Sequence, residues 1–256
     1  MKLKKNQDSR NASIIVAFIL FILGCLWWLA AQQQWINSQL LGSPAGIYNA
    51  AVISVEQGTI FYDTWITFYE TVMGLIIGSG LGIILGLGLW FYPKISQIGE
   101  QLSVILNSIP KIALGPLIVI WFGSETSSKI WLSAISCFAV AMISACAVAK
   151  DIDRDLMNLF KSFKASNAQI FKKLIIPSSI PWIFSILKIN VGFALIGAVV
   201  GEYISSNSGL GHLIFVAGSL FDLNTVWLGI IILTIMAALL TALIQHIEKK
   251  VVKWRA

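Results

Sequence analysis

Few residues in this chain could do chemistry in an apolar setting. Lys111 stands between Pro110 and Pro116 in a run of aliphatic residues, Lys188 lies in another such run, and Glu202 closes that second run. A charge held in hydrocarbon is costly, so such a group marks a solute path or a gate by default. The two prolines add to the case at Lys111, because each removes a backbone donor and frees a carbonyl that must face protein or water. Lys111 also lies about two turns from an expected membrane boundary, where a lysine can lay its stem along the helix and lift its ammonium to the headgroups. Both readings stand. Pro110, Lys111, Pro116, Lys188 and Glu202 are the candidate path and gate residues, and the two lysines lean towards an anionic solute.

Catalysis finds no footing. The sequence has no G-x-x-x-x-G-K-[ST] loop for ATP phosphates, no H-E-x-x-H and no G-x-S-x-G. His212 and His246 are far apart, and acids are too sparse in the apolar runs to build a proton relay. Cys25, Cys137 and Cys146 have spacings that suit neither a zinc site nor a disulfide framework. They read as small buried hydrophobes. No catalytic, cofactor-binding or metal-ligating residue is assigned.

The elements that position these residues are set by composition. Of 256 residues, 57% are hydrophobic and only 12% charged, with a mean hydropathy of +0.82. Soluble domains are about a quarter charged. Several charge-free windows reach the roughly 18 residues needed to cross a bilayer as a helix, and they are continuous rather than alternating. The expectation is an all-α integral membrane protein with six spans: Ser13–Ala31, Phe68–Phe91, Ile105–Phe122, Ile130–Ala149, Ile183–Tyr203 and Val226–Ile247. The first apolar run is too long for a signal-peptide core and ends in a poor cleavage site, so it reads as an uncleaved span. Trp28, Trp90, Trp121, Trp131, Trp227 and Trp254 lie near span ends, as interfacial anchors do.

Charge sets the expected orientation. Fifteen of the 18 Lys and Arg residues fall on one side when six spans are threaded, among them Lys2, Lys4, Lys5, Arg10, Lys94, Lys253 and Arg255. The positive-inside rule then makes both termini and the middle segment cytoplasmic. The +6 net charge reports topology and contact with anionic lipid headgroups, not nucleic-acid binding.

Gly74, Gly78, Gly82 and Gly86 recur every four residues in the second span. Such a stripe lets another backbone approach closely, either inside the chain or across a homodimer seam.

One amphipathic segment interrupts the apolar pattern, "DIDRDLMNLFKSFKASNAQIFKKLIIPSSIP" from Asp151 to Pro181. Leu156, Leu159, Phe160 and Phe163 keep the spacing of one helix face. Asp151 and Asp153 suit the first turn of that helix. Ser166 and Gln169 fit a capping box that starts a second helix, with Ile170, Phe171, Leu174 and Ile175 on one face and Pro177 expected to limit it. The result is a helical hairpin over residues 151–177. It could lie on the inner leaflet or dock into a groove of a soluble partner.

This hairpin resembles the "EAA" coupling loop of ABC importer permeases. The tail "ASNAQIFKKLIIPSSIP" is similar to the family's turn, basic pair and terminal proline. The head departs from the pattern: Asn158 stands for the acid, Leu159 and Phe160 for the small pair, and Lys164 for the turn glycine, where a side chain is less at ease. "LLGSPAGIYNAAV", "TVMGLIIGSGLGIILGLGL", "NSIPKIALGPLIVIWFGS", "ALIGAVVGEYISSNSGLGHLI" and "FDLNTVWLGIIIL" resemble, in order, the nitrate, sulfonate, taurine, bicarbonate and thiamine-precursor branch of binding-protein-dependent permeases.

The resemblance implies a type I importer fold, with residues 1–60 as an N-terminal span and outer segment and 61–256 as the permease core. It implies a second copy of the permease, two ATP-binding subunits and an extracytoplasmic substrate-binding protein, in a bacterial inner membrane. ATP and Mg²⁺ would then bind the ATPases, and this chain would hold no cofactor. It also implies ATPase coupling through Asn158, Leu159, Phe160, Phe163, Lys164, Ala165, Ser166, Phe171 and Pro177, and a short outer element near Leu213–Phe221. An ion-coupled carrier or channel without an ATPase, and a membrane anchor without a pathway, are the competing expectations.

Overall fold

The computed structural model describes residues 38–252 throughout, together with 15, 18–19, 22, 24–33 and 35. The first expected span therefore lies partly outside the described residues. Lys2, Lys4, Lys5, Arg10, Lys253, Trp254 and Arg255 lie wholly outside them.

Among the described residues every regular element is helical. After a single turn at Ser38–Leu41 come α1 (Pro44–Glu56) and α2 (Thr59–Gly88), the latter extended by a 3₁₀ turn at Leu89–Phe91. Then follow α3 (Pro93–Ser108), α4 (Lys111–Phe122), α5 (Thr126–Lys150) and α6 (Arg154–Ser162). The long α7 (Asn167–Ser205), α8 (Leu210–Ser219) and α9 (Leu223–Val251) complete the chain.

Four of these helices are long and apolar enough to cross a membrane: α2 with its extension, α5, α7 and α9. The expected third span is not one helix. It is the pair α3 and α4, which meet at 93°. The cause is Pro110, whose ring pushes the preceding Ile109 out of the helical region (φ −68°, ψ 126°). Pro110 then serves as the extended cap of α4. Pro116 stays inside α4, one turn further on.

The chain forms two compact units. In the smaller, the described residues up to Ile60 pack with Leu213–Ile231. Here Ser43 caps α1 by accepting from the Gly46 N–H (3.0 Å), while its own N–H donates to Asn224 Oδ1 (2.9 Å). Trp227 Nε1 donates to the Leu41 carbonyl (3.0 Å), and its ring lies 5.3 Å from that of Trp27.

The larger unit holds Phe61–His212 and the described residues from Ile232 on. Its centre is α5, whose small residues Ala134, Cys137, Ala141, Ala145 and Cys146 are buried. The glycine stripe of α2 lies directly on α5. A Cβ at Gly74 would strike Ser133, at Gly78 the Ala134 backbone, at Gly82 Phe138 and Ala141, and at Gly86 Ala145 and Met142. That face is therefore filled within the chain and is not available as a seam between copies. On its other side α5 meets α7: Ser133 Oγ donates to the Ala194 carbonyl (3.0 Å), and Asn190 Nδ2 donates to the Cys137 carbonyl (3.1 Å) and to Ser79 Oγ of α2 (2.8 Å).

Candidate functional site

The hairpin forms from local rules. Asp153 caps α6 by accepting from the Asp155 N–H (2.8 Å), whereas Asp151 falls outside α6, just beyond the end of α5. At the other end of α6, the Lys164 N–H bonds the Lys161 carbonyl (2.9 Å) and the Ala165 N–H bonds the Phe160 carbonyl (3.1 Å). Those two bonds define a Schellman C-cap, which needs a left-handed residue, usually glycine. Here Lys164 supplies it at φ 54°. Ser166 and Gln169 then close a reciprocal capping box, 2.8 and 3.3 Å, that opens α7.

Pro177 does not end the second helix as expected. Residues 171–175 form a π turn, and the helix runs on through Pro177 and Pro181 to Ser205. In a regular α-helix the Pro177 ring would press on the Lys173 carbonyl. The wider π turn shifts that carbonyl aside and so absorbs the proline.

The hairpin has a rooted side and an open side. Ile170, Leu174 and Ile175 are buried with Leu87, Ala145 and Ala149, and Met157, Phe160, Ala165 and Phe171 pack against them. Phe171 also meets Phe91 (4.7 Å) and Trp90 (5.9 Å) ring to ring. Leu156, Leu159 and Phe163 face outward, Phe163 with 77% of its surface exposed. Leu159, Phe163, Gln169 and Lys173 border an open hollow of about 320 Å³ beside the turn. Asn158 and Lys164 are exposed on the same hairpin, as is Ser166 at the turn, and Pro177 lies half-buried within α7.

The candidate path residues do not converge. Lys111, at the start of α4, donates to Asn107 Oδ1 (3.1 Å) and lies 5.6 Å from the centre of the Phe193 ring. Lys188 is instead tied to Glu248 of α9 by an ion pair of 2.9 Å. Pro110 and Pro116 shape the break and the first turns of α4.

Glu202, at the far end of α7 from the hairpin, is fully buried in a polar net. Its Oε1 accepts from Thr67 Oγ1 (2.6 Å) and its Oε2 from the Gly211 N–H (2.5 Å). Thr67 Oγ1 in turn accepts from the Leu210 N–H (2.8 Å), and Asp63 Oδ1 accepts from the Gly209 N–H (2.7 Å). Glu70 and Lys129 adjoin Glu202, both buried. The Lys129 ammonium donates to the carbonyls of Ser124 and Glu125.

Sequence reasoning missed Thr67, Glu70 and Lys129. The signal was present: Asp63, Thr67, Glu70 and Thr71 continue the glycine stripe towards the start of α2 at the same helical spacing.

The family model for the binding-protein-dependent transport system inner membrane component matches residues 78–253. The chain belongs to this family. The permease is 30% identical to the protein named as aliphatic sulfonates transport permease SsuC of Escherichia coli (strain K12), over 90% of this chain and 87% of that one. It is 29% identical to the formylaminopyrimidine transport permease ThiX of Halalkalibacterium halodurans, over 96% and 98%. Its fold matches the inward-facing MetNI methionine ABC transporter with a TM-score of 0.69 at 16% identity, covering 77% of this chain and 97% of that one.

The permease is thus the non-enzymatic membrane subunit of an ABC importer, working with ATPase subunits and a substrate-binding protein. The competing expectation of a carrier or channel without an ATPase is not favoured.

Proposed function

We propose that two copies of this permease form the pathway, each seating its 151–177 hairpin in a separate ATP-binding subunit on the cytoplasmic side. The observation that carries this reading is the exposed Leu156, Leu159 and Phe163 stripe on a hairpin whose other face is rooted in the spans. An apolar helix face of this kind is built to enter a groove. ATP and Mg²⁺ bind the ATPase. Closure of the ATPases draws the hairpins together and turns the spans from inward- to outward-facing. The test is a detergent pull-down with Leu159→Asp/Phe163→Asp, both outward-facing positions. The wild type brings down its ATPase and the variant does not; equal recovery sinks the reading.

The solute is a small organic sulfonate, delivered by the extracytoplasmic binding protein. Lys111 supports an anion, since this half-buried cation stands at the start of α4, beside the break of a bent span, where a helix N-terminus and a cation favour negative charge. A neutral heteroaromatic is the second reading, favoured by the near-complete overlap with ThiX. Uptake of a labelled alkanesulfonate, competed with a formylaminopyrimidine, separates the two.

A further inference from the structure

The helix α7 runs without a break for 39 residues, about 58 Å at 1.5 Å per residue. It begins at the hairpin turn and carries Glu202 in its last turn. Around that carboxylate, three successive amides, Gly209, Leu210 and Gly211, end on Asp63, Thr67 and Glu202. These amides lead into α8, where N–H groups have no partner in their own helix. The approach is close: a Cβ at Gly209 or Gly211 would run into the Glu202 carboxylate, and Gly209 is in addition left-handed at φ +105°.

The position of this net in the chain gives it a role. Asp63 and Thr67 come just after the chain enters the larger unit at Phe61, and Gly209–Gly211 come just before it leaves at His212. Two of the passages between the compact units are thus fastened together within the larger one, and α7 supplies the fastening acid.

We propose that Glu202 is a positioning residue through which α7 passes movement begun at the hairpin to the first turn of α8. It touches no solute in this role; it acts through the Gly211 amide and the Thr67 hydroxyl. A buried carboxylate with two short bonds to separate segments holds them in one arrangement; removing it takes the acceptor from the Gly211 amide and leaves the Thr67 hydroxyl with the Asp63 carbonyl of its own helix (3.1 Å). The proposal rests on the hairpin being the ATPase docking element.

The experiment uses the permease–ATPase complex in nanodiscs, with Cys25→Ser to remove the exposed native thiol and Ser219→Cys as an exposed reporter on α8. A membrane-impermeant maleimide is added with and without ATP plus vanadate. We expect a several-fold change in labelling rate on trapping. Glu202→Ala abolishes this change while the ATPase stays bound and turns over, and Glu202→Gln, which keeps an acceptor for Gly211, restores part of it. A trapping response in Glu202→Ala equal to that of the parent overturns the proposal, and so does a parent that shows no response. If Glu202→Ala fails to assemble, Thr67→Val carries the test, since it keeps the shape and removes the hydroxyl. Loss of the response in that variant supports the proposal and an unchanged response sinks it. Failure of the underlying docking reading shows differently, as an ATPase that binds the Leu159→Asp/Phe163→Asp variant normally.

Discussion

Lys164 holds a left-handed backbone that costs an L-residue about 1–2 kcal/mol relative to glycine. The Schellman bonds to the Lys161 and Phe160 carbonyls, and the packing of Ala165 near Phe160, keep it there. Lys164→Gly is therefore expected to stabilise the hairpin by about 1 kcal/mol, glycine's larger unfolded-state entropy offsetting part of the gain. Slower amide hydrogen exchange over residues 154–165 is the measurement, and unchanged or faster exchange counts against the strain. The same residue shows what a sequence makes readable. The turn, its capping box and the misfit of lysine at that position were legible because every partner lies within a few residues. Glu202 and Thr67 are 135 residues apart, and nothing local announces their bond. Lys129 lies just before the span expected to start at Ile130, whereas α5 starts at Thr126 and holds it as a buried helical residue.

At the scale of elements, spans were legible wherever apolar length alone decides. The elements α2, α5, α7 and α9 each contain the run expected of them, and the additions are the polar first turns of α2 and the hairpin turns joined to α7. What length cannot decide is continuity at proline. Pro110 breaks the helix, with Ile109 extended before it, while Pro177 follows a π turn and Pro116 and Pro181 stay inside their helices. The contact between α2 and α5 is a matter of element spacing. Gly78→Leu would force the two backbones apart and is expected to cost about 1–3 kcal/mol. Gly80→Ala, with open space at its Cβ, should be neutral or slightly stabilising, by up to about 1 kcal/mol. Thermal denaturation of both variants in detergent checks the pair, and equal midpoints would remove the stripe's special role.

At the scale of the whole molecule, the distribution of basic residues makes a prediction about orientation. In intact cells carrying the Cys25→Ser background, a membrane-impermeant maleimide should label Ser124→Cys, at the exposed turn before α5, and leave Lys161→Cys in the hairpin unlabelled until the membrane is opened. Labelling of Lys161→Cys in sealed cells would invert the topology. The unbroken course of α7 has a further consequence for how this chain can change. A helix advances about 100° per residue, so α7 behaves as a shaft keyed at both ends, by the hairpin turn at one and a carboxylate at the other. Its π turn sets the phase between the two keys. One residue inserted or deleted between Gln169 and Glu202 would turn one key away from its seat, with no loop on the way to take up the error. The length of this stretch is therefore fixed to the residue.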